Sequence, residues 1–414
     1  MAAVDEPGYV RTRRMTEQRW LLDNIIRLVG VDWDQGRTRY TAYPCGLDAQ
    51  ADFARVRDRV KKFADIDREF AAAARRRERL ALDAEAAEHF VEAREHALVA
   101  SILWGNAEWP LFGDSALLDE YASHKLENFE LFRRHAPHVI HRVDIPFGDS
   151  ALPGYLHLPV RPEPPYPCVV QIGGMDSFKE HRVSIYGDKF LENGIACLSV
   201  EIPGQGEALA RGLTVTATSA VDAGAAIFAW LRGRVDIDHG RVGLTGNSFG
   251  SFWATQIAAR VDGLAGCAVT AVIHEPGMHT IFETASPTFK ARFMYMAGFV
   301  DEDAFDSFAA SLDLRPVAGD VTCPYLALAG EDDELSPVHN TLDLLRLISG
   351  PSWLMVYQGE RHSIGGGPAA ALGPNRGTVV AQWLVDRFAG VPAVDRYSYV
   401  DSSGTVSERE PTWR

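Results

Sequence analysis

The pattern of hydrophobic and polar positions divides the chain into two parts. Up to about residue 137, apolar residues recur at helical spacing, and residues 47–103 are rich in the helix formers Ala, Arg, Glu and Leu. From residue 138 onwards, short apolar runs alternate with Gly and Pro. We therefore expect an N-terminal helical (cap) domain at residues 1–137 and a second domain at 138–395. Residues 396–414 are predicted to form a C-terminal tail, which is expected to be loosely ordered from Val400 to Arg414.

In the second part, strand-like runs alternate with helical ones. A hairpin is predicted at the start, and the later strands are predicted at residues 168–173, 195–200, 241–245, 267–272, 325–329 and 353–357. This alternation is typical of an α/β fold with a mostly parallel sheet and helices on both faces. Residues 277–314 are too many for a simple crossover, and their apolar content predicts a helical lid insertion.

An aromatic cluster stands where the helical part is interrupted by Gly and Pro. Trp104, Trp109 and Phe112 lie in the segment ILWGNAEWPLFGD. The Gly and Pro predict a loop that carries these rings. They could line a pocket or fill the core between the two domains, and we favour the core.

Composition and charge exclude several classes of protein. The 414 residues are 46% hydrophobic and 23% charged, as in globular proteins, and the net charge of −15 argues against nucleic acid as a partner. No run of apolar residues is long enough to predict a membrane span, and the first residues do not have the pattern of a signal peptide. The five cysteines are widely spaced and mostly lie in strand-like runs. We therefore expect a cytoplasmic protein without disulfides, metal or cofactor.

Candidate chemistry centres on Gly246-Asn-Ser-Phe-Gly250, a G-x-S-x-G sequence between a predicted strand and a predicted helix. In a turn this sharp, only small residues fit two positions before and after the central residue. Ser248 would then stand exposed at the end of the strand as a nucleophile. A Gly-rich turn with a solvated serine is the alternative.

A serine nucleophile needs a base, and the base needs an acid. Downstream of Ser248, the acidic cluster GEDDELSP follows a predicted strand, and we select Asp333 as the acid. The competitors are its neighbours Glu331, Asp332 and Glu334, of which Asp332 is the strongest. A metal site made of these carboxylates lacks supporting ligands nearby.

His362, in GERHS just beyond the next predicted strand, is the candidate base. It has the order along the chain and the strand-end position that the triad requires, unlike His274, His279 and His339. Two N–H groups should bind the negative oxygen of the tetrahedral intermediate. One is the amide of Phe249, and the other is that of Met175, or failing that Gly174, in the GGMD loop.

With these residues in place, the chain resembles the α/β-hydrolase superfamily over residues 138–390. The segments VVQIGGMDSFKE and VEIPGQGE are similar to those of the fermentation-respiration switch protein-like esterases. The segment QRWLLDNIIRLVGVDWDQGR is similar to the related 2,6-dihydroxypseudooxynicotine hydrolase branch. The resemblance implies triad roles for Ser248, Asp333 and His362, and it implies a homodimer. It also implies a further acid in the site, for which Glu275 is the candidate; a capping or surface role is the alternative.

The sequence thus predicts a serine hydrolase that acts through an acyl-enzyme on a bulky or aromatic carbonyl substrate. Ester hydrolysis and carbon-carbon bond hydrolysis would use the same triad. The candidate walls of the substrate pocket are aromatic: Trp104, Trp109, Phe282 and Phe293. The alternatives are a non-hydrolytic acyl transferase or cyclase and a non-catalytic hydrolase-like receptor. A dinucleotide-binding oxidoreductase is a poorer alternative, because no G-x-G-x-x-G follows the first parallel strand.

Overall fold

The computed structural model describes residues 9–185 and 189–414. The chain forms two compact units. The first contains the chain up to Ile140 together with Ser286–Tyr295, and the second contains His141–Ala285 and Met296–Arg414. Residues 1–8 of the predicted N-terminal domain lie outside the described residues.

The first unit is helical. Side chains cap two of its helices: Thr12 accepts a hydrogen bond from the Met15 amide, and Ser115 accepts one from the Leu118 amide. Its α-helices before the sheet are Arg13–Glu17, Arg19–Val29, Arg37–Ala42, Gln50–Arg59, Ile66–Ala86, Phe90–Glu108 and Ala116–Arg134. Short 3-10 helices cover Tyr43–Cys45, Leu47–Ala49 and Phe63–Asp65.

The predicted loop around Trp104 is wrong, because helix Phe90–Glu108 continues through Trp104 and Gly105. A glycine inside a helix costs about 1 kcal/mol relative to alanine, which packing can offset. Here the Trp104 indole is fully buried, stacks on the imidazole of His124 and donates a hydrogen bond to Glu78. The helix therefore continues to Glu108, with Trp109 as its C-cap just before Pro110.

One mostly parallel sheet organises the second unit. The described residues form ten strands: β1 Val139–Phe147, β2 Ser150–Leu158, β3 Tyr166–Ile172, β4 Ala196–Val200, β5 Ile237–Asn247, β6 Gly266–Thr270, β7 Tyr325–Gly330, β8 Ser352–Tyr357, β9 Arg396–Val400 and β10 Val406–Arg409. Their order across the sheet is β1-β2-β4-β3-β5-β6-β7-β8-β9-β10. The pairs from β4 to β9 are parallel, whereas β2 pairs with β4, and β10 with β9, in antiparallel fashion.

Helices connect these strands and cover the sheet, which is why every residue of β3, β4, β6 and β7 is buried. The helices are Arg182–Ile185, Lys189–Glu192, Gly206–Ala210, Ser219–Arg232, Phe249–Ala258, Val338–Leu345, Pro368–Leu372 and Arg376–Phe388. In the predicted lid segment, residues 277–314, a 3-10 turn at Pro276–Met278 is followed by a π-helical turn at Thr280–Thr284 and helices Pro287–Ala297 and Glu302–Ala310; helix Arg315–Ala318 comes directly after the segment. A lid role for them remains a prediction.

The C-terminal residues are ordered, contrary to the expectation of a loose tail. β9 continues the parallel sheet beside β8, and β10 pairs with β9. Tyr399 and Val400 are buried in β9, and the guanidinium of Arg409 lies 3.5 Å from the centre of the Tyr399 ring. The polar residues around the short sequence RYSYV hide this strand signal.

No helix in the described part of the chain is long and apolar enough to cross a membrane.

Candidate active site

Ser248 stands on a strained turn between β5 and helix Phe249–Ala258. Its backbone has φ 53° and ψ −131°, a conformation that residues other than glycine rarely adopt. The two flanking glycines are required by space. A Cβ on Gly246 would lie 2.2 Å from the Gly250 carbonyl oxygen, and one on Gly250 would lie 2.4 Å from the Ile172 oxygen. The strand, turn and helix predicted for the G-x-S-x-G sequence are therefore present.

The structure brings Ser248, His362 and Asp333 into one hydrogen-bonded chain. The Oγ atom of Ser248 lies 2.9 Å from Nε2 of His362. Nδ1 of His362 lies 2.9 Å from Oδ2 and 3.1 Å from Oδ1 of Asp333. His362 and Asp333 are 1% and 5% exposed, so their interaction is shielded from water. The arrangement can transfer a proton from the serine hydroxyl to the imidazole.

Backbone amides fix the Asp333 carboxylate beside the imidazole. Its Oδ1 atom accepts hydrogen bonds from the amides of Leu335 and Ser336, at 2.8 and 3.0 Å. A second glycine contact brings the two loops together, because a Cβ on Gly330 would lie 2.3 Å from the Glu360 carbonyl oxygen.

The three competing acids lie elsewhere. Glu331 accepts hydrogen bonds from the Tyr399 hydroxyl and the Gly359 amide. Glu334 pairs with Arg361 and accepts a hydrogen bond from the backbone amide of His362. Asp332 is exposed. Among these four acids, only Asp333 has its carboxylate on the imidazole ring of His362.

The pKa of His362 is raised above its ordinary value of 6.5. Burial is the largest single influence and lowers the pKa, but the charge and hydrogen bond of Asp333, together with the charge of Glu334, outweigh it. The imidazolium that would form after proton transfer is thus stabilised by the neighbouring carboxylates.

The other candidate histidines have different surroundings. His279 and His339 are exposed. His274 is buried, with Nδ1 3.1 Å from the Thr341 hydroxyl and Nε2 3.2 Å from the Tyr325 hydroxyl. Burial lowers its pKa to about 3, so this imidazole is neutral over the physiological range.

The loop after β3, residues 173–176 with the sequence GGMD, lies against Ser248 and is called the glycine loop. A Cβ on Gly174 would lie 2.8 Å from Cβ and 3.3 Å from Oγ of Ser248, so only glycine fits there. In the described part of the chain, the next amide, that of Met175, donates to no backbone or side-chain acceptor. Phe249 is the first residue of its helix. The amides of Met175 and Phe249 remain the predicted pair of oxyanion donors.

The structure places Glu275 in a local capping arrangement. Its two carboxylate oxygens accept hydrogen bonds from the amide and hydroxyl of Thr280, at 2.7 and 2.9 Å. This matches the capping alternative, and a substrate-binding role for Glu275 stays a prediction.

The four predicted aromatic walls are all buried, but they belong to different units. Phe282, in the second unit, stacks on Phe249 beside the nucleophile, with ring centres 6.1 Å apart. Trp104 and Trp109 pack among side chains of the first unit, where the guanidinium of Arg37 lies 3.6 Å from the centre of the Trp109 ring. Phe293 also belongs to the first unit. Of the four, only Phe282 is placed near the serine within its own unit.

Sequence reasoning missed Glu360, a buried acid two residues before His362. One oxygen accepts hydrogen bonds from the amides of Gly365, Gly366 and Gly367, each at 3.0 Å, and the other accepts one from Ala370. Burial raises the pKa of Glu360, but these amides outweigh it and the net pKa is lowered. Glu360 therefore anchors the loop that follows the base. The run of three glycines after His362 was the available signal.

Comparison with known proteins finds relatives among hydrolases. Among curated proteins, the 2,6-dihydropseudooxynicotine hydrolase of Paenarthrobacter nicotinovorans is 26% identical over 315 residues, covering 71% of this chain and 78% of that one. Esterase FrsA of Escherichia fergusonii is 26% identical over 164 residues. That match spans only 39% of the esterase's own length.

Solved structures show the same fold. The crystal structure of the 2,6-dihydroxy-pseudo-oxynicotine hydrolase matches with a TM-score of 0.74 at 21% identity, covering 86% of this chain and 97% of that chain. AbyA5 matches with a TM-score of 0.62 at 18% identity, covering 83% and 90%. The mostly parallel sheet and its helices are thus those of an α/β-hydrolase.

A family model described as esterase FrsA-like matches residues 74–341, which is more than half of the chain. The predicted resemblance and the predicted enzyme class are confirmed. The chain belongs to the FrsA-like esterase family and is a hydrolase of the α/β-hydrolase superfamily.

Proposed function

We propose that the protein is a serine hydrolase that works through an acyl-enzyme, with Ser248 as nucleophile, His362 as base and Asp333 as the acid that orients it. The observation that carries the proposal is the continuous chain of hydrogen bonds from Ser248 Oγ through both ring nitrogens of His362 to Asp333. The positive φ of Ser248 supports it, because strained backbone concentrates at functional sites.

The first half of the reaction forms a bond from Ser248 Oγ to the substrate carbonyl carbon while His362 Nε2 takes the serine proton. The carbonyl oxygen becomes negative and is bound by the amides of Phe249 and Met175. The tetrahedral intermediate then collapses, the leaving group departs with its electron pair, and His362 returns a proton to it. In the second half, His362 takes a proton from water as the water oxygen attacks the acyl carbon. The bond from the acyl carbon to Ser248 Oγ then breaks, and His362 returns the proton to Oγ as the carboxylic acid leaves.

The leaving group decides the reaction class. An alkoxide or phenoxide leaving group makes the enzyme an esterase. If the broken bond joins the carbonyl carbon to a carbon flanked by a second ketone, the electron pair is held as an enolate, and His362 protonates it to a ketone. A 1,3-diketone and water then give a carboxylic acid and a ketone. The 2,6-dihydropseudooxynicotine hydrolase among the relatives makes this second class worth testing.

We infer that the substrate is bulky or aromatic. Phe249, the residue after the nucleophile, packs on Phe282, which in turn packs on Phe305. Aromatic rings beside a nucleophile favour apolar, flat groups. The proposed mechanism uses side chains and backbone amides of this chain alone and needs no cofactor.

The test is turnover of two substrates, p-nitrophenyl butyrate and 1-phenyl-1,3-butanedione, by the wild type and by Ser248→Ala. Cleavage of the diketone by the wild type and its loss in the variant would identify a carbon-carbon bond hydrolase, and would make Glu275 the next residue to substitute. Cleavage of the ester alone, lost in the variant, would identify an esterase. A wild type that cleaves neither, or a variant as active as the wild type, would contradict the proposal.

We further propose a cytoplasmic homodimer. The dimer is supported by helix Arg19–Val29, whose apolar residues are in large part exposed: Trp20 65%, Leu21 40%, Leu28 84% and Val29 66%. A contiguous apolar surface of this kind favours contact with another protein surface.

The cytoplasmic location is supported by three cysteines that are buried in the sheet region as free thiols: Cys168, Cys197 and Cys267.

A further inference from the structure

The side chain of Gln205 forms hydrogen bonds to the glycine loop that carries the predicted oxyanion donor. Gln205 lies after β4 and is 1% exposed. Its Nε2 atom donates to the carbonyl oxygens of Gly173 and Gly174, at 2.7 and 3.0 Å. Its Oε1 atom accepts from the Ile202 amide and from Nη2 of Arg182, at 3.2 and 3.1 Å. All four contacts of this side chain are therefore satisfied hydrogen bonds.

This pattern fixes which way the Gln205 amide group points. A flipped amide would place Oε1 against the two carbonyl oxygens and Nε2 against the two N–H donors. That orientation would replace four hydrogen bonds by four repulsive contacts. The amide nitrogen of Gln205 therefore donates two hydrogen bonds to the glycine loop.

A planar peptide group transmits this constraint to the next amide. In a trans peptide, the C=O and N–H vectors point in opposite directions, and the described cis peptides lie elsewhere, before Pro162 and Pro165. With the Gly174 carbonyl held by Gln205, the N–H of Met175 points away from Gln205. The Gly173 carbonyl constrains the N–H of Gly174 in the same way. The two candidate oxyanion donors of this loop are therefore aimed by a single side chain.

The loop has no room to turn away from this orientation. On its other side, Gly174 lies against Ser248, as the 2.8 Å approach of an added Cβ to the serine Cβ shows. The Gly174 oxygen also accepts a hydrogen bond from the Ser177 amide, at 3.2 Å. The Gly174 oxygen therefore accepts two hydrogen bonds, one from Gln205 and one from Ser177.

Arg182 extends the support to the ends of β3 and β4. Besides Gln205, its guanidinium donates to the carbonyl oxygens of Gln171 and Val200 and to the Ser177 hydroxyl. Arg182 is 2% exposed, so these bonds form out of contact with water. Gln205 is consequently anchored to the sheet and does not depend on a mobile surface group.

We propose that Gln205 is a positioning residue that preorganises the Gly174–Met175 peptide to bind the oxyanion. It acts through the backbone and contacts neither substrate nor triad. The inference rests on the serine mechanism proposed above. It predicts that losing the two donors of Gln205 weakens binding of the transition state and leaves the triad's proton chemistry intact.

The test compares Gln205→Met with Gln171→Met, a matched substitution. Gln171 is also buried and lies on β3, and among the described residues neither polar atom of its side chain has a hydrogen-bond partner. We expect Gln205→Met to lower kcat/KM for p-nitrophenyl butyrate by about 10- to 100-fold, less than the loss from deleting a direct oxyanion donor. Gln171→Met should stay within twofold of the wild type.

Two readouts separate positioning from general damage. A trifluoromethyl ketone such as 1,1,1-trifluoro-4-phenylbutan-2-one adds to the serine and places its oxygen in the oxyanion site. Its inhibition constant should rise in Gln205→Met by the same factor by which kcat/KM falls. The midpoint of the acid limb of the pH profile, which reports His362, should not move. Equal inhibition of variant and wild type, or a shifted midpoint, would overturn the proposal.

A second variant covers the case in which Gln205→Met does not fold. Gln205→Glu keeps the size of the side chain and the acceptor for Arg182 but loses both donors, and we expect a loss of activity in the same direction. A Gln205→Glu enzyme as active as the wild type would overturn the proposal. Ser248→Ala, measured in parallel, keeps the two claims apart. If that variant is fully active, the serine mechanism itself fails, whereas an inactive Ser248→Ala with a fully active Gln205→Met defeats only the positioning role.

Discussion

The Asp333 carboxylate binds a backbone loop and an imidazole at the same time. The amides of Leu335 and Ser336 hold one oxygen, and the His362 ring contacts both. Asp332, next to it in sequence, is exposed. Neighbouring carboxylates of equal chemistry thus have unequal surroundings, and this difference can be tested residue by residue.

Asp333→Asn should lower kcat by about 10³- to 10⁴-fold, because the amide no longer holds the imidazole in the required tautomer or stabilises its cation. The contact between Asp333 and His362 also fixes the direction in which the pH profile of kcat/KM should shift. His362 must be neutral to accept the serine proton, so kcat/KM rises with pH through its pKa, which Asp333 raises. The acid limb of the profile should therefore lie above pH 6.5 in the wild type and move to lower pH in Asp333→Asn.

Asp332→Asn is the matched control for that experiment. It should leave both kcat and the pH midpoint as in the wild type. A larger loss in Asp332→Asn than in Asp333→Asn would contradict the assignment of the acid.

His274 should make the protein less stable in acid. Burial lowers its pKa to about 3 in the folded protein, whereas an unfolded histidine titrates near 6.5. As pH falls from about 6 to 4, the unfolded state binds a proton that the folded state does not, so the free energy of unfolding falls by up to about 1.4 kcal/mol per pH unit.

The measurement is urea unfolding at pH 7, 6, 5 and 4 for the wild type and for His274→Gln, which keeps a hydrogen-bonding side chain but cannot titrate. The free energy of unfolding should depend less steeply on pH in the variant. The difference in slope should correspond to about one proton fewer taken up on unfolding over this range. Parallel curves would show that His274 is protonated in the folded protein or does not contribute.

At the scale of elements, the turn between β5 and helix Phe249–Ala258 depends on close backbone approach. Gly246→Ala should lower the free energy of unfolding by about 1–3 kcal/mol and lower hydrolase activity, because its Cβ would lie 2.2 Å from the Gly250 carbonyl oxygen. Gly240→Ala, in the same strand, is the control. Its Cβ would lie no nearer than 3.4 Å, to Asp238, so a change within about 0.5 kcal/mol is expected in urea unfolding. Equal effects of the two substitutions would contradict this account of the turn.

Most elements of the sheet could be predicted from the sequence because parallel strands are buried on both faces and form apolar runs. β3 to β8 all lie where such runs occur. β9 could not, because it is short, contains the polar residues Arg396 and Ser398, and stands among other polar residues. The helix through Trp104 was missed because Gly105 is a local breaker signal, while burial of the indole is a tertiary effect.

The site could be predicted in outline for a similar reason. The serine, the acidic cluster and the histidine each follow a strand, and the carboxyl ends of parallel strands meet at one edge of the sheet. The choice among adjacent acids depended on backbone amides that only the folded loop supplies. The role of Glu360 was missed although its glycine partners follow closely in sequence, whereas that of Gln205 could not be predicted, because the two glycine carbonyls that it binds lie more than 30 residues earlier in the chain.

At the scale of the whole molecule, the exposed apolar face of helix Arg19–Val29 predicts self-association. Light scattering coupled to size-exclusion chromatography should give twice the 45.5 kDa of one chain. Leu28→Asp, which places a charge on that face, should give the mass of one chain. Val235→Asp, at a residue that is 96% exposed in the second unit, should not change the mass. A monomeric wild type, or a Leu28→Asp variant that stays dimeric, would contradict this role of the helix.

Covalent labelling of the nucleophile tests the proposed role of Ser248 directly. The protein is treated with an alkyl fluorophosphonate, and the modified residue is located by peptide mass spectrometry. We expect one added group per chain, on Ser248, no labelling of Ser248→Ala, and much slower labelling of Asp333→Asn. A label on another serine, or unchanged labelling of Ser248→Ala, would contradict this role.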